Sequence, residues 1–174
     1  NLRAPAAVDY SGKEVSPGTL IDVLTGNRSE TTPVVLESDE GTDVFVYIAG
    51  HGSPGRISFP YGKELTAADF AGLTGQMERE GRYRQIVFMV DACFGESMAV
   101  NVTPRGMLYF TGASVSETSL GAVYDMDIRQ WLSNEFTQSA LSAIRKNNNI
   151  TFRELYIASY EMVTGSHVRL RNAE

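Results

Sequence analysis

Gln-Ile-Val-Phe-Met-Val-Asp-Ala-Cys-Phe-Gly-Glu-Ser, residues 85–97, decides how the rest of this chain is read. Residues 86–90 are an unbroken apolar run rich in β-branched side chains, the pattern of a strand buried on both faces of a sheet. The run stops at Asp91-Ala92-Cys93, and Gly95 follows. The single cysteine of the chain therefore stands where a buried strand gives out into a loop. In open α/β sheets that carboxyl edge is where ligands bind. Side chains alternate along a strand, so Asp91 and Cys93 lean the same way. Taken alone, a lone cysteine is more often a small buried hydrophobe than a nucleophile.

A second stretch shifts that balance. Residues 43–49, Asp-Val-Phe-Val-Tyr-Ile-Ala, read as another buried strand, and it runs into Gly50-His51-Gly52-Ser53-Pro54-Gly55. One of only two histidines thus sits at a neighbouring strand end. A cysteine and a histidine on adjacent strand ends form the thiol-peptidase pattern. In it Cys93 attacks a carbonyl to give a thioester and His51 passes the proton to the leaving amine. Glycines beside His51 let backbone N–H groups approach a substrate carbonyl closely. Asp91, beside the thiol, would repel an acidic substrate side chain and favour one that donates hydrogen bonds. Residues 52–55 are no phosphate loop, since no Lys-Ser/Thr follows. Two histidines and one cysteine at unrelated positions lack metal-ligand spacing, so neither metal nor other cofactor is expected.

At 174 residues, 43% of them hydrophobic, the chain can bury a substantial core as one domain spanning residues 1–174. A formal charge of −6 without any basic run argues against nucleic acid as a partner. No apolar run reaches the roughly 18–20 residues that cross a bilayer, and no signal peptide is visible, so the chain reads as soluble. Asn27, Asn101 and Asn149 begin Asn-x-Ser/Thr sequons, which matter only in a secretory host.

Residues 1–15 read as loop or extended chain. Ser16-Pro17 starts a short helix that turns Leu20, Ile21 and Leu24 inward and ends at Gly26. A hairpin is expected around Tyr61-Gly62, and Thr66 caps a helix bearing Phe70, Leu73 and Met77. A short helical piece follows around Met98, then a strand over 107–111. Asp127 is expected to cap the longest helix, with Ile128, Trp131, Leu132, Phe136, Ala140, Leu141 and Ile144 on its apolar face. Asn147-Asn148-Asn149 makes an exposed polar turn. Thr151 and Glu154 form a capping box for a last helix with Phe152, Leu155, Tyr156 and Met162 inward. Strands alternating with helices predict an α/β three-layer sandwich on a mostly parallel sheet.

"YIAGHGSPG" and "VFMVDACFGESM" resemble the His and Cys motifs of the legumain-like cysteine peptidases, in the caspase-like clan, and are also similar to the catalytic subunit of the GPI-anchor transamidase. "VDYSGKEVSPGTLIDVLTGN", "RISFPYGKELTAADF", "TGASVSETSLGAVYD" and "GSHVRL" extend the likeness over most of the chain. The resemblance implies a caspase-like fold, a Cys93–His51 dyad, and an oxyanion held by the N–H groups of Gly52 and Cys93. It places Asp91, Ser114, Glu117, Thr118 and Ser119 at the substrate pocket, with Asp125, Asp127 or Gln130 also reaching it. Asparagine is then the preferred side chain before the cut, with Lys or Arg the electrostatic alternative. His167 matches the family's last strand and reads as structural.

Some residues depart from the pattern. Thr118 stands where legumains carry serine, Asp91 where they carry glutamate, and Gly50 where animal legumains carry aspartate. "YDMDIRQWLSNEFT" is closer to the transamidase pattern, which keeps amine transfer open beside hydrolysis. A catalytically silent scaffold on the same fold is the third possibility. The family also opens with a strand–helix–strand unit that nothing before Val8 supplies, so the chain reads as a processed or truncated portion. That unit is expected from a separate fragment, a second chain or residues outside 1–174, beside the peptide or protein substrate as partner. By resemblance the setting is secreted or endolysosomal; separately, the asparagine run at 147–149 in an expected exposed turn is a candidate site for self-processing.

Overall fold

In the computed structural model, which describes residues 7–172, the chain is built on a four-stranded sheet in the order β1-β5-β6-β9. Residues 1–6, part of the predicted N-terminal loop, lie outside the described residues. Strands β1 (Asp43–Ala49), β5 (Gln85–Asp91) and β6 (Met107–Thr111) run parallel, and β9 (Arg169–Arg171) pairs antiparallel with β6. A small sheet joins β2 (Gly52–Ser53), β3 (Arg56–Ser58) and β4 (Glu64–Thr66), and β7 (Gly121–Asp125) pairs with β8 (Gln130–Asn134) as a hairpin.

Helices cover both faces. Ser16 caps α1 (Pro17–Thr25) by accepting from the Thr19 N–H, and Gly26, at φ 72°, ends it in the left-handed conformation that glycine adopts cheaply. Thr66 and Asp69 form a capping box for α2 (Ala67–Arg79), as Thr151 and Glu154 do for α4 (Phe152–Met162). α1 and α2 bury Leu24, Phe70, Leu73 and Met77 against Ile86, Phe88 and Tyr109. The Phe70 ring meets Phe88 and Tyr109 edge-on at 4.9 and 5.6 Å, contacts worth about 0.5–1.5 kcal/mol each beyond area burial. On the other face Phe136, Ala140 and Ala143 of α3 (Glu135–Lys146) and Leu155 of α4 pack on Met89 and Phe110.

β5 is buried along all of its length after Gln85, as its apolar run predicts. β1 is not. Phe45 and Tyr47 are 56% and 46% exposed, because β1 is the sheet's edge and the helices on that face sit over β5 and β6. The longest helix expected from Asp127 is corrected as well. Asp125 accepts from the backbone N–H groups of Asp127 and Ile128, which reverses the chain, and Arg129 completes the turn at φ 54°. Ile128 and Leu132 are then exposed, Trp131 stacks edge-on against Tyr124 across the hairpin, and α3 begins only after Asn134. A helical spacing at 128, 131 and 132 is equally compatible with a two-stranded ribbon, and the aspartate turn decides between them. Leu141, Ile144, Phe152 and Met162, all expected inward, are more than a third exposed, and the buried contacts of α3 and α4 come instead from Phe136, Ala140, Ala143 and Leu155.

Candidate active site

Strand register brings the candidate pair His51 and Cys93 together. Ala49 pairs with Asp91 at the carboxyl ends of β1 and β5, and the Gly50 N–H donates to the Asp91 carbonyl at 3.2 Å. Continuing two residues along each strand brings His51 beside Cys93, since adjacent strands lie about 4.8 Å apart. Both line one cleft of about 480 Å³, walled also by Ser119, Gln130, Trp131 and Asn134. His51 is exposed and Cys93 half-buried, so both can reach a bound peptide.

Close packing holds the two loops together. A Cβ on Gly52 would sit 2.2 Å from the Cys93 carbonyl oxygen, so only glycine fits there. After Cys93 the chain turns through Phe94 in the left-handed region, at φ 56°, which costs a non-glycine residue about 1–2 kcal/mol. The Phe94 N–H donating to the Glu117 carbonyl at 2.8 Å, and the Tyr109 hydroxyl donating to the Gly95 carbonyl at 2.7 Å, secure that turn. Gly95 has no room for a side chain, since its Cβ would meet Thr111 Oγ1 at 2.1 Å. Behind it Glu96, buried, accepts from the Val115 N–H and pairs with Arg171 at 2.6 Å and Arg169 at 3.6 Å.

Asp91 is fully buried and sits behind the cleft wall, with Ser119 in front of it. One carboxylate oxygen accepts from Ser119 Oγ at 2.8 Å; the other accepts from the Thr137 N–H at 3.2 Å and the Thr137 hydroxyl at 2.5 Å. With its proton given to Asp91, the Thr137 hydroxyl accepts from Tyr47 at 2.7 Å. Burial pushes the Tyr47 phenol above its ordinary pKa, against the hydrogen bond with Thr137 and with a smaller push from the Asp91 charge. Ser119 closes the chain at the cleft. Its hydroxyl proton goes to Asp91, leaving the oxygen free to accept, and its carbonyl accepts from the Cys93 thiol at 3.8 Å. Asp91→Asn puts an amide donor against the Ser119 or Thr137 donors, and the cost expected is about 1–3 kcal/mol of unfolding free energy. Urea unfolding of the two proteins checks it; equal midpoints would contradict the network.

The other predicted pocket residues divide. Ser119 and Gln130 line the cleft, whereas Asp125 holds the hairpin turn and Asp127 is exposed on it. Ser114 is buried and Thr118 exposed, neither of them on the cleft wall. Glu117 faces away, accepting from the Ser114 N–H at 2.7 Å, the His167 N–H at 2.8 Å and His167 Nδ1 at 2.7 Å. Burial alone would raise the Glu117 carboxyl, but the hydrogen bonds from His167 and Ser114 outweigh it and hold the pKa at about 2, below the usual 4.5. A carboxylate with a depressed pKa contributes stability that is complete above pH 4.5 and is lost as pH falls toward 2. Wild type should therefore exceed the Glu117→Gln variant in stability near pH 6, with the gap closing by about pH 2. A gap that does not change with pH, measured by thermal or urea unfolding, would overturn this.

Trp131 and Asn134 were missed as cleft residues because the hairpin was read as helix. The pair of apolar runs around an Asp-rich turn, Val-Tyr before and Trp-Leu after, carried the signal. Among the described residues no group of three or more His, Cys, Asp or Glu side chains is placed to hold a metal, and no helix is long and apolar enough to cross a membrane.

A sequence model of the Peptidase C13 family matches residues 1–172. The chain belongs to this family. It is 33% identical over 141 residues to a putative GPI-anchor transamidase of Drosophila melanogaster, covering 80% of this chain and 40% of that protein. It is 30% identical over 169 residues to the GPI-anchor transamidase of Saccharomyces cerevisiae, covering 94% and 41%. A hemoglobinase of Schistosoma japonicum is 34% identical over 123 residues, covering 70% and 29%. The C13 chain thus spans between 29% and 41% of the length of these relatives. Its fold is shared with caspase-1 of Spodoptera frugiperda, at a TM-score of 0.60 and 10% identity, over 90% of this chain and 68% of that one.

Proposed function

We propose that this C13 chain cleaves peptide bonds through a thioester on Cys93, preferring asparagine before the cut. The observation that carries the proposal is the placement of His51 and Cys93 on paired strand ends in one open cleft. Cys93 attacks the carbonyl, His51 delivers the proton to the departing amine, and the Gly52 and Cys93 N–H groups receive the oxyanion. Ser119, its proton committed to Asp91, presents an acceptor that suits a carboxamide donor, and Asp91 behind it disfavours an acidic side chain. Glu117 secures the turn after Cys93 through its carbonyl and takes the Ser114 N–H on its carboxylate, with Thr118 exposed beside them.

Transfer of the acyl group to an amine is the second reading. The names of the fly and yeast relatives favour it, and a thioester is open to either acceptor. A peptide-library digestion run with and without an added amine separates them. Asn-directed cleavage supports the first reading; amide products in preference to acids support the second. Neither product, together with no labelling by any thiol-directed peptide probe, leaves a silent scaffold.

The uncovered edge of β1, with Phe45 and Tyr47 exposed beside it, supports one further part of the proposal. An additional strand, from chain outside residues 1–174, a companion fragment or a second chain, completes the sheet there. Mass spectrometry of the folded, isolated protein that finds 19.1 kDa alone would count against it.

A further inference from the structure

We infer that Ser97 is a positioning residue for the dyad: one hydroxyl ties the loop that carries His51 to the turn that carries Cys93. The inference rests on the dyad proposed above. Ser97 Oγ donates to the Phe94 carbonyl at 2.5 Å and accepts from the Gly55 N–H at 2.8 Å. Phe94 immediately follows Cys93 and holds the strained left-handed turn, while Gly55, at φ 69°, closes the segment that begins at His51. Both functions of the hydroxyl are therefore used, one on each catalytic loop. A second contact, independent of Ser97, shows that the loops touch: the Gly52 backbone lies against the Cys93 carbonyl too tightly for a Cβ.

The loops come from different strands, and the register of β1 with β5 ends at Ala49 and Asp91. Beyond that point the Gly50–Asp91 hydrogen bond, the Gly52 contact and the Ser97 hydroxyl span the gap, above the apolar packing of Ile57 and Met98 in the core. Removing the hydroxyl leaves the Gly55 N–H without its acceptor, while the Phe94 carbonyl keeps the Ser97 backbone N–H at 2.8 Å but loses its link to the His51 loop. Both loops then gain freedom to move, and a displacement of about 1 Å between reacting groups can cost on the order of 100-fold in rate. Ser97 is not among the residues lining the cleft, so substrate binding is not what it serves.

The test measures the rate of Cys93 alkylation by iodoacetamide at pH 7 in the intact protein, together with kcat and KM on a cleaved peptide. In Ser97→Ala both alkylation and kcat should fall by about tenfold or more, with KM changed by less than about threefold. Ser97→Thr, which keeps the hydroxyl, should recover most of the loss. In a His51→Ala background, Ser97→Ala should add no further loss of alkylation, because the geometry it protects is already gone. An unchanged rate in Ser97→Ala, or the same additional loss with and without His51, would overturn the inference. If His51→Ala alone leaves alkylation unchanged, the dyad itself fails, and this inference with it.

Discussion

Cys93→Ala should abolish the proposed turnover, with kcat/KM falling by at least about 10⁴-fold, because no other side chain among the described cleft residues is placed to form the covalent intermediate. Ser119 is the one other hydroxyl lining that cleft, and its proton is committed to the buried Asp91, a partner that orients it as an acceptor rather than activating it for attack. His51→Ala should cost about 10²–10⁴-fold, the usual range for a positioned proton-transfer group. The double variant should be no worse than Cys93→Ala, since residues that act as a unit are not additive. Steady-state assays on the best peptide from the library check this. Residual activity within tenfold of wild type in Cys93→Ala would place the chemistry elsewhere.

Gly52→Ala is the second large effect. The added methyl would lie 2.2 Å from the Cys93 carbonyl oxygen and 3.2 Å from both the Cys93 carbonyl carbon and the Ala92 Cβ. The nearest obstacle is backbone, so no side-chain rotation relieves it. The His51 loop must instead retreat by about 1 Å to reach ordinary contact distance. That movement carries His51 and the Gly52 N–H away from Cys93 together, and the loss expected is about 100-fold in kcat/KM. Overpacking of this kind costs about 1–3 kcal/mol of stability, small enough for the variant to be purified and compared by circular dichroism. A folded Gly52→Ala variant with activity within threefold of wild type would show that the loop contact does not set the catalytic geometry.

The parts of this structure legible in the sequence are those set by local chemistry. Ser16-Pro17, Thr66 with Asp69, and Thr151 with Glu154 mark helix starts because their side chains satisfy nearby N–H groups wherever the rest of the chain goes. Residues 86–90 announced a central strand because burial on both faces leaves no position for a polar side chain. The same signal misled for residues 43–49. Phe45 and Tyr47 are apolar yet exposed, and which strand occupies the sheet's edge is a matter of topology that no stretch of sequence states.

The site divides along the same line. That His51, Gly52 and Cys93 come together follows from the two apolar runs that end just before them. What Asp91 touches could not. Two residues before Cys93, it was expected to meet substrate; burial instead turns it to Ser119 and Thr137, residues 28 and 46 positions away. Glu117 likewise finds His167, 50 positions on. Ser97, Trp131 and Asn134 reach their places through loop and hairpin geometry, and a helical spacing at 128–132 disguised the last two.

The most direct measurement is rapid acid quenching of the intact protein during turnover of an asparaginyl peptide, followed by mass mapping of the trapped species. A thioester carried on Cys93, present in wild type and greatly reduced in His51→Ala, is the predicted result. An acyl group on any other residue, or cleavage without an acylated Cys93, would contradict it.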